Sequence, residues 1–233
     1  MGRSIVGHVE AIFRYPVKSM RGERLDAAEL GWHGLEGDRR LGFRKVGDRG
    51  GFPWLSAGRV PELVLYQPCL PSHVRTPSGA DLPVFGEELA AEVGRRFGAP
   101  VEMMQFRNGI FDEANVSVIA SDTVREIERL AGVAADVRRF RPNIAVRLER
   151  PGAFQEDEWV GRVLSFGEAE DAAAVTVTMR DLRCGMLNID PDTASLAPEV
   201  MKAVVSRSEN HAGVYAAVTR VGRVAMRQPM YLS

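Results

Sequence analysis

Val175-Thr176-Val177-Thr178-Met179 alternates apolar and hydroxyl side chains, then runs on into Arg180-Asp181-Leu182-Arg183-Cys184-Gly185. Successive side chains of a β-strand point to opposite faces, so a period of two marks a half-buried strand. Working outward, the same grammar recurs. Residues 5–13, 40–45, 63–66, 101–106, 116–120 and 144–148 read as short strands set off by turn residues. Residues 214–218 and 223–226 read as a closing hairpin about Gly222, and Ser78-Gly79 marks another tight turn.

Helices are few. Glu87–Phe97 puts Leu89, Val93 and Phe97 on one face, with glutamates at its start, Arg95-Arg96 at its end and Gly98 then Pro100 beyond. Residues 123–131 put Val124, Ile127 and Leu130 on one face, with Ser121 or Asp122 as the cap and Gly132 as the stop. Residues 198–205 form a third, with Pro198 in the first turn. Short helices among many strands predict a mainly β (α+β) fold with a barrel-like body.

The chain of 233 residues is 45% hydrophobic and 26% charged, an ordinary globular composition. Its net charge of −1 calls for neither nucleic acid nor an anionic membrane. No apolar run approaches bilayer length, and none of signal-peptide length follows Met1. Two distant cysteines, Cys69 and Cys184, form no CxxC cassette, and a cytoplasmic protein with reduced thiols is expected. Lysine stands only at Lys18, Lys45 and Lys202, so 27 of the 30 basic residues are arginine. Coding bias explains that, and so does bidentate binding of phosphate by guanidinium forks.

Four segments carry polar residues that a strand–turn plan does not need. Arg14-Tyr15-Pro16-Val17-Lys18-Ser19-Met20-Arg21-Gly22 leaves a strand through Pro16 and gathers Lys18, Ser19 and Arg21 in one turn. Such a turn cradles an anion or is merely solvated. Gly34-Leu35-Glu36-Gly37-Asp38-Arg39-Arg40 turns sharply at two glycines, and Asp38 is placed to orient Arg39. Arg138-Arg139-Phe140-Arg141-Pro142-Asn143 crowds three arginines into a strand entry, which suggests a negative partner such as phosphate. The fourth runs from Met179 through Asp190-Pro191-Asp192-Thr193. There Arg180 and Arg183 flank Cys184, and positive charge favours thiolate, the form that ligates soft metals. Cys69, beside Pro68 and Leu70, reads as structural.

Other chemistries lack their residues. There is no HExxH, P-loop, nucleophile elbow or GxGxxG. Pyridoxal phosphate needs a Schiff-base lysine, and Lys18, the one candidate in an anion-binding setting, suits phosphate better.

In these four segments the chain resembles the MOSC family, the domain found at the C-terminus of molybdenum-cofactor sulfurases. It is most similar to the branch of the mitochondrial amidoxime-reducing component and its bacterial relatives. Tyr-Pro-Val-Lys-Ser, Gly-Leu-Glu-Gly-Asp-Arg, Phe-Arg-Pro-Asn and Arg-Cys followed by Asp-Pro-Asp-Thr occur in the family's order. The resemblance implies a MOSC N-terminal β-barrel-like region over 1–107 and a MOSC domain over 108–233, divided near Arg107-Asn108-Gly109. It also implies a cleft for the molybdenum cofactor, molybdopterin, with Cys184 as molybdenum ligand and catalytic residue. Lys18, Ser19, Arg39, Arg141 and Asn143 match positions that hold pterin and phosphate; Asp112, Arg183 and Tyr215 match further contacts. The implied reaction is two-electron reduction of small N-oxygenated substrates, such as hydroxylamines and amidoximes. The chain has no cysteine set for an iron–sulfur cluster, so electrons are expected from a ferredoxin-like or cytochrome-like donor and its reductase. The alternative is a cofactor carrier or sulfur-transfer protein using Cys184 as persulfide or ligand; a third reading is a binding module without metal. Three departures lie near the expected metal. Asp181-Leu182-Arg183 stands where a second cysteine is common, Leu187 and Asn188 where threonines are, and Ala194 where a glycine is.

Overall fold

Seven strands close into a barrel in the computed structural model, which describes residues 3–134 and 136–233. In chain order they are β1 (Ser4–Arg14), β2 (Val116–Ala120), β3 (Ile144–Leu148), β4 (Val163–Phe166), β5 (Ala174–Leu182), β6 (His211–Arg220) and β7 (Pro229–Leu232). Around the barrel the order is β1-β3-β2-β6-β5-β4-β7, and β7 pairs back onto β1. Only β2–β3 is parallel. Closure satisfies every strand edge internally. The mainly β, barrel-like architecture is thus the expected one, and β1 closes a barrel otherwise drawn from residues 116–232.

The alternation in β5 does what its period requires. Val175 and Val177 are fully buried in the barrel interior with Val9, Val118, Val146 and Phe166, while Thr178 is exposed. Burying each valine contributes roughly 1.5–3 kcal/mol. Pairing with β6 then shifts register after Val177 and again after Arg180. Such bulges re-aim side chains: Met179 faces out, and Asp181 turns inward to near-complete burial.

Two smaller cores flank the barrel. Strands Leu41–Lys45 and Val101–Gln105 pair outside it, and α1 (Glu87–Phe97) packs Leu89 and Val93 against Phe43, Leu63 and Tyr66. Gly98 closes α1 in the left-handed conformation, φ 81°, its N–H bonding to the Gly94 carbonyl. On another side α2 (Ser121–Ala131), α3 (Val137–Phe140) and α4 (Pro198–Ser208) pack Ile127, Phe140 and Val204 against Ile119 of β2 and Ala212 of β6.

Several expectations need correction. Residues 63–66 are no strand: Pro61–Leu65 is a 3-10 turn that Pro61 opens. A four-residue apolar run does not distinguish the two, and proline suits a helical first turn. The closing hairpin does not form. Both edges of β6 are taken by β2 and β5, so Gly222–Ala225 pairs instead with Ala27–Gly31. Neither Ser121 nor Asp122 caps α2; both lie within its first turn, where Ser121 Oγ donates to Glu10 and Asp122 pairs with Arg125.

Candidate functional site

One cleft of about 750 Å³ collects eight of the nine anticipated side chains: Lys18, Ser19, Arg39, Asp112, Arg141, Arg183, Cys184 and Tyr215. The chain leaves β1 through Tyr15-Pro16, and the Lys18 N–H bonds to the Leu41 carbonyl at 2.7 Å. The Arg39 N–H bonds back to the Tyr15 carbonyl at 2.7 Å, which brings the second segment alongside the first. Arg141 closes α3, Tyr215 stands on β6, and Cys184 lies two residues past the end of β5.

Three of these residues share an uncommon backbone: φ is 68° at Ser19, 50° at Arg39 and 49° at Arg141. Left-handed conformations cost non-glycine residues free energy and cluster where side chains must be aimed. Here they turn three polar side chains toward one space.

Asn143 stands behind the cleft. It is 1% exposed, and its amide nitrogen donates to Asp38 Oδ2 at 3.0 Å while its oxygen accepts the Ser117 N–H at 3.1 Å. Asp38, itself fully buried, accepts the Tyr15 N–H at 2.7 Å and pairs with Arg39 as its sequence position suggested. Asn143 therefore positions Asp38, which positions Arg39.

Lys18 is buried and donates to Asp112 Oδ1 at 2.7 Å. Burial pulls its ammonium below the ordinary lysine range, and Asp112 pulls it part of the way back. Arg141 has no carboxylate partner among the described residues; it donates to the Met20 carbonyl at 2.7 Å, and its Nη2 is buried without a partner. Burial, with Arg39 beside it, pushes Arg141 down to about 10, so it stays charged at neutral pH. Its guanidinium carbon lies 4.1 Å from the Tyr15 ring centroid, a cation–π contact.

The other arginines of that segment already have negative partners. Arg139 bonds to Asp190 Oδ2 at 2.6 Å, and Arg138 pairs with Asp136 and Asp192. Arg21 also reaches Asp192, at 3.1 Å. The acids that the crowding implied are thus largely the chain's own Asp-Pro-Asp-Thr loop, and of the three strand-entry arginines only Arg141 remains unneutralised. The reading of Cys184 is corrected likewise. Arg180 pairs with Asp157 at 2.9 Å, and Arg183 with Asp181 at 2.9 Å, so the charge of both flanking guanidiniums is spent on carboxylates. Cys184 itself is exposed and free.

Asp181 was not anticipated as a functional residue. It lines the cleft at 1% exposure, accepts the Ser117 hydroxyl at 2.9 Å, and leaves Oδ1 without a partner. Burial raises its carboxyl above the ordinary range despite Arg183. The inward turn after the β5 bulges was its only signal, and bulges are not written in a hydrophobic pattern.

A closed β-barrel with a basic, thiol-bearing cleft at its side defines the class of fold. The sequence matches the MOSC domain over residues 98–231 and the MOSC N-terminal beta barrel domain over residues 6–96, and the chain belongs to the MOSC family. No curated protein matches it. Among solved structures, the YUAD protein from Bacillus subtilis is similar at 16% identity and a TM-score of 0.55, covering 99% of this chain and 97% of that one. YiiM from Escherichia coli gives 15% identity and a TM-score of 0.42 over 94% of this chain and 69% of that one. YiiM from Geobacillus stearothermophilus gives 19% identity and 0.40 over 52% and 54%.

Proposed function

We propose that the cleft holds the molybdenum cofactor and that the protein reduces N-oxygenated compounds, such as hydroxylamines and amidoximes, to amines and amidines. The observation that supports this most directly is the convergence of Lys18, Arg39 and Arg141 with the exposed Cys184 thiol on one cleft. The donor set suits the group: a buried ammonium and an orphaned guanidinium nitrogen for a phosphate, and a thiol for a soft metal. In this reading Lys18, Ser19 and Arg141 hold the phosphate and pterin, Arg39 borders them, and Cys184 ligates molybdenum. When bound, the cofactor supplies a two-electron oxygen-atom acceptor.

The net change is R–NH–OH + 2 e⁻ + 2 H⁺ → R–NH₂ + H₂O. Both protons must reach the substrate. Asp181, whose carboxyl burial raises and whose Oδ1 is unpartnered, is the cleft carboxyl that would relay one of them. Tyr215, its phenol pushed up by burial and by Asp181, stays protonated beside it as a hydrogen-bond donor. The electrons come from an external ferredoxin-like or cytochrome-like donor. A cytoplasmic setting belongs to the same reading; no helix among the described residues is long and apolar enough to cross a membrane.

The exposure of Cys184 favours a second reading, a cofactor carrier or sulfur-transfer protein whose thiol a partner reaches directly. One experiment separates the two. The chain is produced in a host that makes the cofactor, assayed for molybdenum and pterin, and given a hydroxylamine with reduced viologen. Turnover that disappears in Cys184→Ser supports the reductase. A full metal complement without turnover supports the carrier, and absence of both metal and pterin defeats both readings.

A further inference from the structure

Three large apolar side chains line the cleft and remain open to solvent: Phe52 is 47% exposed, Leu182 58% and Leu196 62%. Single exposed hydrophobic residues are ordinary on a protein surface. Three that share one cleft with a free thiol are the lining of a ligand site. Backbone pairing holds each in place. Leu182 ends β5 opposite His211 of β6, and stands two residues before Cys184. Leu196 is bridged to Ile189. Phe52 precedes Pro53 and Trp54, which pair with Lys45 and Arg44, and its ring centroid lies 5.4 Å from the Lys18 ammonium. The apolar wall is therefore shaped in advance, and little ordering is needed when a ligand covers it.

The exposed charges of the cleft cancel. Asp112 is committed to Lys18. Arg59 and Glu113, both exposed, line the cleft without an ionic partner among the described residues, one of each sign. Such a wall favours a neutral ligand with an apolar body. A ring suits Phe52 in particular, because aromatic pairs gain more than their buried area alone supplies. We infer that the substrate of the cleft is an uncharged aryl N-oxygenated compound, its ring against Phe52, Leu182 and Leu196 and its N–O group toward Cys184. The inference rests on the reductase reading and narrows it: the reaction is the one written above with R an aryl group, and small polar hydroxylamines are poor substrates.

Benzamide and acetamide share a neutral head and differ in the apolar body, and neither needs turnover to report binding. Titrated by NMR into the full-length chain made in a cofactor-producing host, benzamide should bind at least about tenfold more tightly, a difference of about 1.4 kcal/mol. With reduced viologen, N-phenylhydroxylamine should exceed N-methylhydroxylamine in kcat/KM by about tenfold or more. Leu196→Ser and Phe52→Ser should each weaken benzamide by at least about threefold and raise the KM for N-phenylhydroxylamine while kcat changes little, as loss of binding shared by ground and transition states does. Leu196→Met keeps the apolar contact and should retain the parent's values. Leu196 is exposed, so its variants keep the fold. Equal binding of the two amides, or a preference for benzamide undiminished in both serine variants, would overturn the inference. A benzamide preference that the serine variants lose, without turnover of either hydroxylamine, supports the aryl selectivity and defeats the reductase reading alone. Molybdenum and pterin are measured on the same preparations, so failure of the cofactor reading also shows separately.

Discussion

Lys18 and Asp112 stand 94 residues apart in sequence and meet in the cleft wall, the ammonium donating to Oδ1 at 2.7 Å. Lys18 is 6% exposed and Asp112 61%. The carboxylate keeps a buried ammonium charged, and it is also the group an incoming anion must compete with.

Asp112→Asn should therefore act in two directions. At neutral pH it removes the competitor, and inorganic phosphate should bind up to about fivefold more tightly, since a half-exposed ion pair is worth roughly 0–1 kcal/mol. Without Asp112, burial and the nearby Arg39 and Arg141 govern Lys18, whose proton is then lost at lower pH. Phosphate affinity should accordingly fall off earlier as pH rises than in the parent. Titrations across the alkaline range check both effects; an unchanged profile would show that Lys18 does not meet the anion.

Arg39 and Arg141 have similar chemistry and should respond differently. Arg39 neutralises the fully buried Asp38. Arg39→Gln strands that carboxylate, and breaking such a pair costs about 3–5 kcal/mol. Arg141 makes one bond, to the Met20 carbonyl, so Arg141→Gln should cost about 1.5–3 kcal/mol at most while releasing pterin. Urea denaturation beside pterin content distinguishes a supporting arginine from a binding one. Arg125, exposed on α2 and paired only within its own turn, should tolerate reversal with little effect on either.

How much of this the sequence discloses depends on the range of the interaction. The period of two in β5 and the period near four in α1 are local, and they survive in the structure. The four polar segments were legible as polar, and all four meet in the cleft, through Lys18, Arg39, Arg141 and Cys184. Which arginine is free was not legible. Arg139 finds Asp190 across 51 residues and Arg138 finds Asp192 across 54, and no spacing rule encodes such pairings. Asn143 was anticipated as a contact residue, but its pairing with Asp38 was not legible for the same reason: the two lie 105 residues apart.

The 190–193 loop gives a third prediction. Asp190 Oδ1 accepts the N–H groups of Asp192 and Thr193, each at 3.0 Å, while Oδ2 holds Arg139. Asp190→Asn keeps the shape and loses the charge. The loop should loosen, with amide exchange at Asp192 and Thr193 rising about tenfold or more, as loss of roughly 1.5–3 kcal/mol of charge-assisted bonding predicts. Unchanged exchange would mean that the ion pairs merely decorate a loop held by its backbone.

Glu156 sets a pH dependence of stability that is independent of the cleft. It is fully buried beneath the start of α2, where Oε1 accepts the Ala120 N–H at 3.1 Å and Oε2 the Thr123 hydroxyl at 2.9 Å. It has no cationic partner among the described residues. Those hydrogen bonds favour the carboxylate, yet burial outweighs them and pushes the group from an ordinary 4.5 up to about 7. Below pH 4.5 the folded and unfolded chains both carry the proton. Between 4.5 and about 7 only the folded chain keeps it, so stability falls as pH rises through that window; above it the folded chain bears the full cost of a buried charge. The loss amounts to about 3 kcal/mol at most. Glu156→Gln cannot ionise and still presents an oxygen to Ala120 and an N–H to Thr123 Oγ1. The difference in urea stability between variant and parent should grow in the variant's favour from pH 5 to pH 8, as the linkage slope requires, to roughly that value. A difference that stays constant across the range would mean that Glu156 is already ionised in the folded chain at pH 5, with its hydrogen bonds outweighing its burial.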